Sequence, residues 1–517
     1  MSTGLNHPYG LKPLGNLYMN LAGKDIAAAK RLSSKRRFDS LGNLIGKLQD
    51  NVVLSIFSFF TASSLGKISS TSRFFYLLSH RSEFWKVHVL EKFGGSFKYC
   101  KTWKDTYVNN IGPVRQAPHV PIATRDVYSD LWFQSFFCSR VPLRKEWLEV
   151  DNIDRQDHAN LSVADFVRDY EKPRRPVLFS KDISSDWEAM QKWNWDFLKS
   201  RFQVAENGGI HAGGFTFDMK DYISYAFGCK DEESPLYIFD KKFADKSPTL
   251  GKDYSTPKYF DKDRDLFSML GERRPDYRWL IAGPGRSGSS FHIDPNGTNA
   301  WNAVITGAKK WIMFPPHVVP PGVHPSSDGA DVATPVSIVE WFLNFYSFAR
   351  DLNPIECIVQ PGEIIFVPQG WWHLVLNLET GIAVTQNYVS ESSLSVCLDF
   401  LRNKPDQISG IESDRRPRFY DEFVSCLKLK RNDLYEKYVV SKGVSTKGNG
   451  GGKKSVTKVA VKNVWKDIRA MDKTRTKKEK ELEPEAQLES ERNQVVGNGE
   501  EPAHSKNSTF SFNFLSQ

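Results

Sequence analysis

Apolar residues in the first part of the chain recur at helical intervals. Within residues 41–112, one helix face would carry Val53, Ile56, Phe57 and Phe60. A Ser- and Thr-rich break follows, whose hydroxyls can cap the next helix, and two further apolar stretches continue the segment. The pattern predicts a small three-helix domain. Because so short a segment builds only a thin core, we expect one of its apolar faces to dock on another surface.

Short runs of β-branched and aromatic residues dominate residues 146–405. They fall at 176–179, 277–281, 303–305, 310–314, 363–367, 374–377 and 382–385. Helical spacing occurs at 162–170 and 193–202. Many short strands between Gly and Pro turns are typical of a sandwich or barrel. We therefore expect a mainly β domain, a barrel with helices around it.

The remaining segments are expected to connect or extend these two domains. Residues 113–145 begin as a Pro-punctuated linker and then become too aromatic for a free loop, so they should pack against the β domain. Apolar spacing returns over 406–440 and predicts C-terminal helices. The polar, basic residues 1–40 and the Gly-, Lys- and Glu-rich residues 441–517 are expected to be disordered.

Composition indicates the cellular compartment and the kind of partner that suit this chain. Six cysteines lie scattered without a CxxC pair, which argues against a zinc site or disulfide framework and favours a reducing compartment. No run reaches the roughly 18 apolar residues of a membrane span, and the N-terminus lacks the apolar core of a signal peptide. A net charge of +9 suits acidic partners such as nucleic acid, but basic tails in solution would give the same value.

Two stretches concentrate basic charge. Residues 30–37 contain two Lys/Arg clusters, a pattern that serves as a nuclear address or is simply a solvated tail. Residues 473–480 form another basic run. We expect a protein of the nucleus whose tails make weak, salt-sensitive contacts with DNA phosphates.

The sequence from His292 to Asp294 carries the candidate chemistry. On a strand, residues i and i+2 point to the same face, so this imidazole and this carboxylate would face one barrel mouth. His373 follows another β-rich run. Two histidines and one carboxylate on one side of a metal form the facial triad of non-haem Fe(II) oxygenases, which leaves positions open for 2-oxoglutarate and O₂. So short a pattern also arises by chance. The surrounding sequence therefore decides whether these residues form a metal site.

A lysine in the following β-rich sequence adds to that context. Lys309 lies among aromatic and β-branched residues. A lysine that points into an aromatic barrel is costly to bury without an anionic partner. The distal carboxylate of 2-oxoglutarate would supply that partner.

Residues 161–390 resemble a Jumonji-C domain, in particular that of the bifunctional arginine demethylase and lysyl hydroxylase subfamily. The resemblance rests on motifs at 234–240, 277–279, 283–288, 292–295, 297–298, 300–303, 367–368, 370–373, 376–378 and 385–387. Among them are Phe-His-Ile-Asp-Pro and Gly-Trp-Trp-His. The resemblance implies a double-stranded β-helix, the jelly-roll or cupin-like fold, with flanking helices.

This resemblance implies roles for individual side chains. The Fe(II) ligands would be His292, Asp294 and His373, and Lys309 would pair with the far carboxylate of 2-oxoglutarate. Further contacts to this co-substrate are implied for Tyr237, Ser289, Asn302 and Thr385, with Ser289 in place of the subfamily's threonine. The substrate pocket would be lined by Trp372, Asn377 and Asn387, although an aromatic ring and two amides can also serve packing alone.

Two departures from the subfamily concern the substrate. The acidic residue expected beside the pocket is Ser337 here, and the loop 317–335 also differs. They leave the substrate less defined than the reaction.

The N-terminal domain resembles an F-box, the unit that joins substrate receptors to cullin ubiquitin ligases. The resemblance is carried by 48–57, by Leu65 and Ile68, and by 72–75 and 84–85. Gln49 stands where the motif usually has proline. The F-box resemblance implies that residues 44–93 bind the adaptor subunit of a cullin ligase. Alternatively, these helices only pack on the oxygenase domain.

Together, the two resemblances match plant Jumonji proteins assigned to histone arginine demethylation. We therefore expect a nuclear oxygenase that demethylates histone arginine. Two alternatives stay open: hydroxylation of lysine or another residue in a nuclear protein, and a ubiquitin-ligase adaptor whose Jumonji-C domain only binds substrate. The metal triad does not separate demethylation from hydroxylation, because only the pocket sets which carbon lies near the iron.

Overall fold

The computed structural model describes residues 5–14, 35, 37–39, 41–112, 121–125 and 127–441. Leu434 is the last described residue of one compact unit, and Tyr435 opens a second. The basic run 473–480 and most of the cluster 30–37 lie outside the described residues. Within the described ranges, every helix is too short or too polar to span a lipid bilayer.

Short helices separated by hydroxyl caps form the N-terminal domain. They are α1 (Asp50–Ser58), α2 (Ala62–Ile68), α3 (Arg73–Ser79), α4 (Ser82–Phe93) and α5 (Trp103–Ile111). The hydroxyls of Thr61, Ser72 and Thr102 each accept a hydrogen bond from a backbone N–H in the next helix. The segment therefore contains more helices than the three that its spacing predicts, because these hydroxyls start new helices.

The N-terminal helices and the β domain share one hydrophobic core. At their junction the ring centroids of Phe97 and Phe217 lie 5.7 Å apart, and those of Trp103 and Tyr225 lie 5.4 Å apart. The next helix, α6 (Asp130–Arg140), buries further aromatic rings in the same core. The thin core expected for the helices is thus completed by the β domain.

Part of the N-terminal stretch is folded, which differs from the disorder expected for residues 1–40. Strand β1 (Leu11–Lys12) pairs in parallel with β2 (Val127–Tyr128) and buries its leucine. Arg37, from the basic cluster, forms an ion pair with Asp50. A few anchoring residues therefore order a stretch whose overall composition is polar.

Fifteen further strands follow within the described residues. They are β3 (Asp154–Gln156), β4 (Val177–Phe179), β5 (Ile210–Ala212), β6 (Phe215–Phe217), β7 (Ile238–Asp240), β8 (Arg278–Gly283), β9 (Gly288–His292), β10 (Asn299–Thr306), β11 (Lys309–Phe314), β12 (His324–Pro325), β13 (Val332–Ala333), β14 (Ile355–Val359), β15 (Ile364–Val367), β16 (Trp372–Asn377) and β17 (Gly381–Tyr388). A larger, nine-stranded sheet has the order β3-β4-β15-β10-β17-β8-β7-β5-β6, and a smaller, four-stranded sheet has the order β14-β11-β16-β9. Strands β12 and β13 form a separate pair.

The two main sheets pack face to face. Ala300 and Val367 of the larger sheet share a buried cluster with Trp311 and Val375 of the smaller sheet. On the other face of the larger sheet, Trp301 packs into the main core with the helices. This arrangement confirms the predicted mainly β, jelly-roll fold with helices outside the barrel.

Helices follow and interrupt the strands of the barrel. They are α7 (Lys145–Leu148), α8 (Val163–Phe166), α9 (Glu188–Lys192), α10 (Trp195–Lys199), α11 (Val204–Asn207), α12 (Met219–Gly228), α13 (Phe243–Lys246), α14 (Ile338–Arg350), α15 (Glu391–Asn403), α16 (Arg416–Lys430) and α17 (Asn432–Tyr435). Helix α14 packs on β9, and α15 packs on the turn that follows β9. Both helices therefore support the segment that carries the candidate ligands.

Candidate metal and co-substrate site

Two neighbouring strands bring the three predicted metal ligands together. His292 ends β9 and lies directly opposite His373 of β16. Asp294 follows two residues later, just before a 3-10 turn at Pro295–Gly297. One ligand atom from each of these side chains lies within 4.8 Å of the other two. Across the described ranges, no other His, Cys, Asp and Glu residues form such a group.

The turn after Asp294 is fixed by contacts with helix α15 and with the loop segment around Ser409. Asn296 adopts a left-handed φ of 59° and exchanges hydrogen bonds of 2.9 and 3.0 Å with the backbone of Ser409. Gly297 has a φ of 65°, and a Cβ there would lie 3.2 Å from the backbone of Cys397. These contacts hold the backbone that positions the carboxylate.

Backbone carbonyls orient the two histidines. Nδ1 of His292 lies 2.8 Å from the carbonyl oxygen of Ser290, and Nδ1 of His373 lies 3.1 Å from that of Trp371. With the proton on Nδ1, each ring donates to its carbonyl and keeps the lone pair of Nε2 for a metal. The arrangement therefore selects the tautomer that a metal site requires.

Burial determines the charge of these groups. It lowers the pKa of both His292 and His373 to about 4, so both imidazoles are neutral near neutral pH and able to bind a metal. Burial also raises the pKa of Asp294, and the neighbouring side chains of His292 and Asn387 oppose this rise. Two neutral imidazoles and one carboxylate fit the ligand set of a non-haem Fe(II) site.

Lys309 lies farther along the same face of the smaller sheet. It begins β11 opposite Asn377, whereas Met313 lies opposite His373, so roughly 13 Å of strand separates the lysine from this ligand. Lys309 is 4% exposed. Burial lowers its pKa to about 7, and no neighbouring charge among the described residues opposes the effect. A buried cation of this kind needs an anion that these residues do not supply.

The next residue shows how the protein satisfies a buried lysine. Lys310 points to the opposite face of β11 and is 0% exposed. Its ammonium lies 2.8 Å from a carboxylate oxygen of Glu356 and donates a 2.8 Å hydrogen bond to the carbonyl of Val150. The charge of Lys310 is therefore balanced within the protein, whereas Lys309 can pair with a ligand.

Three other polar groups on the barrel-facing sides of their strands are buried without a hydrogen-bond partner in the described part of the chain. They are Oδ1 of Asn302, Nε1 of Trp311 and Oδ1 of Asn377. Unpaired buried polar groups are costly, so this region suits a polar ligand. A dicarboxylate such as 2-oxoglutarate fits, because the lysine ammonium and the indole N–H both need an acceptor.

The other predicted co-substrate residues already have partners. The hydroxyls of Tyr237 and Ser289 form a 2.8 Å hydrogen bond, and burial raises the pKa of Tyr237 to about 12. Thr385 lies opposite Asn302 in the larger sheet and donates its hydroxyl to the carbonyl of Trp301 at 2.7 Å. Since a hydroxyl has one proton, Thr385 in this geometry cannot also donate to a carboxylate.

The structure separates the three residues that the resemblance assigns to the substrate pocket. Asn387 lies near the metal ligands, since its side chain helps to lower the pKa of Asp294, and its amide donates a 2.9 Å hydrogen bond to the hydroxyl of Thr298. Asn377 lies at the opposite end of β16 from His373. Trp372 faces away from the barrel interior and packs into the main core, because strand side chains alternate and its neighbour His373 faces inward. Only Asn387 is therefore next to the candidate metal centre.

Two aromatic residues of the barrel were not singled out by the sequence pattern. Trp311 stacks near the ring of His373, with centroids 5.7 Å apart. Trp279 of β8 stacks on Phe239 of β7, with centroids 5.4 Å apart and an interplanar angle of 18°. Strand alternation would have identified Trp311, because it lies two residues after the inward-facing Lys309. The contact of Trp279 depends on a neighbouring strand and has no local signal.

Ser337 has a structural role at a helix end. Its hydroxyl accepts a 3.1 Å hydrogen bond from the backbone N–H of Glu340 in the first turn of α14. It also donates to a carboxylate oxygen of Glu233 at 3.2 Å. This departure from the subfamily therefore caps a helix and binds an acidic side chain from another segment.

Comparison with known proteins assigns the chain to a family. Residues 218–393 match the family described as a cupin-like domain. The chain is 44% identical over 427 residues to the arginine-specific demethylase JMJ22 of Arabidopsis thaliana, covering 81% of each protein. It is 37% identical over 304 residues to the bifunctional arginine demethylase and lysyl-hydroxylase psr-1 of Caenorhabditis elegans, covering 55% of this chain and 70% of that protein.

A third relative is the 2-oxoglutarate and iron-dependent oxygenase JMJD4 of Gallus gallus, 27% identical over 293 residues, or 51% of this chain and 65% of that protein. The fold and the ligand set define a cupin-fold oxygenase with a non-haem iron site. The chain belongs to the Jumonji-C family of iron- and 2-oxoglutarate-dependent oxygenases. The predicted family is therefore confirmed.

Proposed function

We propose that this protein removes methyl groups from arginine side chains of nuclear proteins, with histones as the first candidates. One arrangement supports this proposal: His292, Asp294 and His373, of which the first two are partly buried and the third is buried, lie on a barrel that also buries Lys309. This lysine has no counter-ion among the described residues. The choice of arginine rests on the 44% identity to the arginine-specific demethylase JMJ22. The nuclear location is proposed because the resemblance to plant Jumonji proteins implies action on histones, which are nuclear proteins.

The candidate residues would hold the metal and 2-oxoglutarate at different positions. His292, Asp294 and His373 would bind Fe(II), and Lys309 would balance the far carboxylate of 2-oxoglutarate. The indole N–H of Trp311 has no hydrogen-bond partner among the described residues and would be a further donor. When bound, iron together with 2-oxoglutarate and O₂ supplies the oxidation of a substrate C–H bond.

Polar residues of the barrel would complete the co-substrate site. In the pair formed by Tyr237 and Ser289, one hydroxyl donates to the other, so the second keeps its proton for a carboxylate. The amide oxygens of Asn302 and Asn377 have no hydrogen-bond partner among the described residues. Because an amide oxygen only accepts, these oxygens would orient the ammonium of Lys309, which lies opposite Asn377, and would not bind the carboxylate itself. We therefore propose Asn377 as a residue that orients Lys309 toward the co-substrate, and Thr385 as a residue that supports the barrel wall.

The substrate side chain would lie between Asn387 and Trp279. Trp279 is half-buried and supported by its stack on Phe239. A methylated guanidinium is a weakly hydrated, planar cation that gains about 0.5–2 kcal/mol when it stacks on an indole face. Trp279 would therefore serve the role that the resemblance implies for Trp372.

The carbon that the pocket places near the metal decides the product. Hydroxylation of an N-methyl carbon gives an N–CH₂–OH group, whose C–N bond then breaks, so that formaldehyde leaves and the nitrogen regains a proton. Hydroxylation of a lysine side-chain carbon gives a stable alcohol. In both reactions the protein binds and orients the substrate carbon and keeps water away from the site.

Lysyl hydroxylation is the second candidate activity. The similarity to psr-1 favours it, because the name of that relative includes both activities. Incubation of methylarginine peptides from histones with the protein, Fe(II) and 2-oxoglutarate separates the two candidates. Formaldehyde release supports demethylation, and a gain of one oxygen at lysine supports hydroxylation. Metal-loaded, folded protein that forms neither product would contradict both.

We also propose that residues 44–93 bind the adaptor subunit of a cullin ligase, while the tails 30–37 and 473–480 contact DNA. An exposed apolar surface supports adaptor binding: Phe59 is 85% exposed and Val52 is 39% exposed at α1. Such apolar exposure marks protein interaction surfaces. Capture of the adaptor subunit by the full chain tests the proposed adaptor binding. If folded protein does not capture the adaptor, these helices serve only to pack on the oxygenase domain.

A further inference from the structure

The loop that carries Tyr237 is held from outside the β domain. This loop joins α12 to β7. From helix α4 of the N-terminal domain, Lys86 reaches the loop and forms an ion pair with Glu232. The same ammonium donates a 2.8 Å hydrogen bond to the backbone carbonyl of Ser234. One lysine of the N-terminal helices thus contacts two positions of this loop.

Further hydrogen bonds extend from Glu232 toward Tyr237. The second carboxylate oxygen of Glu232 accepts a 2.7 Å hydrogen bond from the hydroxyl of Tyr225. That hydroxyl accepts a 2.7 Å hydrogen bond from the backbone N–H of Leu236, and Tyr222 donates to the carbonyl of Leu236 at 3.0 Å. The residue before Tyr237 is therefore fixed at both of its backbone groups.

Burial makes this network sensitive to the loss of one partner. The side chains of Lys86 and Glu232 are 20% and 8% exposed, and Tyr225 is 0% exposed. Charge-assisted hydrogen bonds in such surroundings are strong. Removal of the ammonium would leave the carboxylate of Glu232 nearly buried and uncompensated, so the loop would rearrange to hydrate it.

We propose that Lys86 is a positioning residue for 2-oxoglutarate binding. Through Glu232 and Tyr225, it fixes the loop that aims the hydroxyl of Tyr237 at Ser289 and at the co-substrate. The N-terminal helices are then part of the oxygenase site and do not form a separate module. This inference rests on the proposed co-substrate role of Tyr237.

Binding of 2-oxoglutarate to the Mn(II)-loaded full chain, measured by titration calorimetry, tests the inference without turnover. Lys86→Met should weaken binding by about 2- to 30-fold, the range for residues that act through a contact network. Lys86→Arg keeps the charge and should restore most of the affinity. Lys92→Met is the matched control, because Lys92 is an exposed residue of the same helix, and it should bind as tightly as the wild-type protein.

Hydrogen exchange supplies a second readout. Amides of residues 229–240 should exchange faster in Lys86→Met than in Lys92→Met, because the loop loses its anchor. Since Lys86 acts through Tyr237, the double variant with Tyr237→Phe should bind no more weakly than Tyr237→Phe alone.

Several outcomes would overturn the inference. Folded Lys86→Met that binds like the wild-type protein, or effects of Lys86→Met and Tyr237→Phe that simply add, would each do so. If Tyr237→Phe binds 2-oxoglutarate as tightly as the wild-type protein, Tyr237 has no co-substrate role and the inference is wrong. The proposed iron and 2-oxoglutarate site would not be affected by that result. If the wild-type protein itself binds no 2-oxoglutarate, the proposed function fails and the inference fails with it.

Discussion

Replacing Lys309 by methionine removes a buried charge and keeps a side chain of similar length. In the wild-type protein this lysine is 4% exposed, without a counter-ion among the described residues. With 2-oxoglutarate bound, it would pair with the far carboxylate. Loss of one partner from a buried pair costs about 3–5 kcal/mol, so 2-oxoglutarate should bind roughly 10²- to 10³-fold more weakly, or worse.

The same substitution should not destabilise the ligand-free protein. Burial of an unpaired cation is unfavourable, and methionine removes that cost, so the unfolding temperature of Lys309→Met should equal or exceed that of the wild-type protein. Lys310→Met is the contrasting variant, because it leaves Glu356 buried and unpaired. We expect it to lose about 3–5 kcal/mol of unfolding free energy, while the fraction that remains folded binds 2-oxoglutarate normally.

The lowered pKa of Lys309 predicts how both stability and 2-oxoglutarate affinity change with pH. The group keeps its proton up to about pH 7 in the folded, ligand-free protein, against an ordinary pKa of 10.5. Between these values the unfolded chain holds more protons, so this group adds stability as the pH rises. Binding of 2-oxoglutarate requires the charged lysine. Affinity should therefore be full below about pH 7 and fall by up to about tenfold per pH unit above it.

Titration calorimetry of the Mn(II)-loaded proteins across this pH range, together with thermal unfolding of the ligand-free forms, measures all three effects. Lys309→Met should show weak binding with no pH dependence from this group. If Lys309→Met binds 2-oxoglutarate within about tenfold of the wild-type protein at every pH, less than about 1.4 kcal/mol depends on the lysine, and the placement of the carboxylate is refuted.

Three further predictions concern the metal, the substrate and the partner. Asp294→Glu and His373→Ala should each abolish succinate formation with little change in circular dichroism, because metal sites tolerate little ligand displacement; turnover in either variant contradicts the metal assignment. Trp279→Leu should raise KM for a methylarginine peptide by roughly 2- to 30-fold, from the loss of about 0.5–2 kcal/mol of stacking, with 2-oxoglutarate affinity unchanged; an unaltered KM excludes stacking. Phe59→Asp should abolish capture of the adaptor without changing oxygenase turnover. Leu54→Asp, at a partly buried position, should abolish capture and also lower the unfolding temperature. If Phe59→Asp still captures the adaptor, the adaptor binds at another surface.

Local sequence rules account for much of the barrel and for two of the three candidate metal ligands. The spacing of His292 and Asp294 places them on one side of the chain, and the β-rich runs mark seven of the described strands, β4, β8, β10, β11, β15, β16 and β17. That His373 lies directly opposite His292 depends on the register between β9 and β16, which is a non-local property. The family resemblance supplied this pairing where local spacing could not.

The differences between prediction and structure have particular causes. Trp372 was assigned to the pocket by resemblance, although alternation with His373 already directs it outward. The proton of Thr385 is used by the carbonyl of Trp301 on a neighbouring strand, and no sequence pattern reveals such a contact. Likewise, local spacing does not distinguish the adjacent Lys309 and Lys310. The resemblance implies Lys309 as the co-substrate residue, and the ion pair of Lys310 with Glu356 gives the physical reason.

The most direct test of the proposed activity is mass spectrometry of a histone peptide that contains both dimethylarginine and unmodified lysine. The peptide would be incubated with Fe(II), 2-oxoglutarate and either the wild-type protein or His373→Ala. We expect the wild-type protein alone to remove a methylene unit from arginine, with formaldehyde and succinate formed in equal amounts. An unchanged arginine with an added oxygen on lysine, or identical products from both proteins, would contradict arginine demethylation at this metal site.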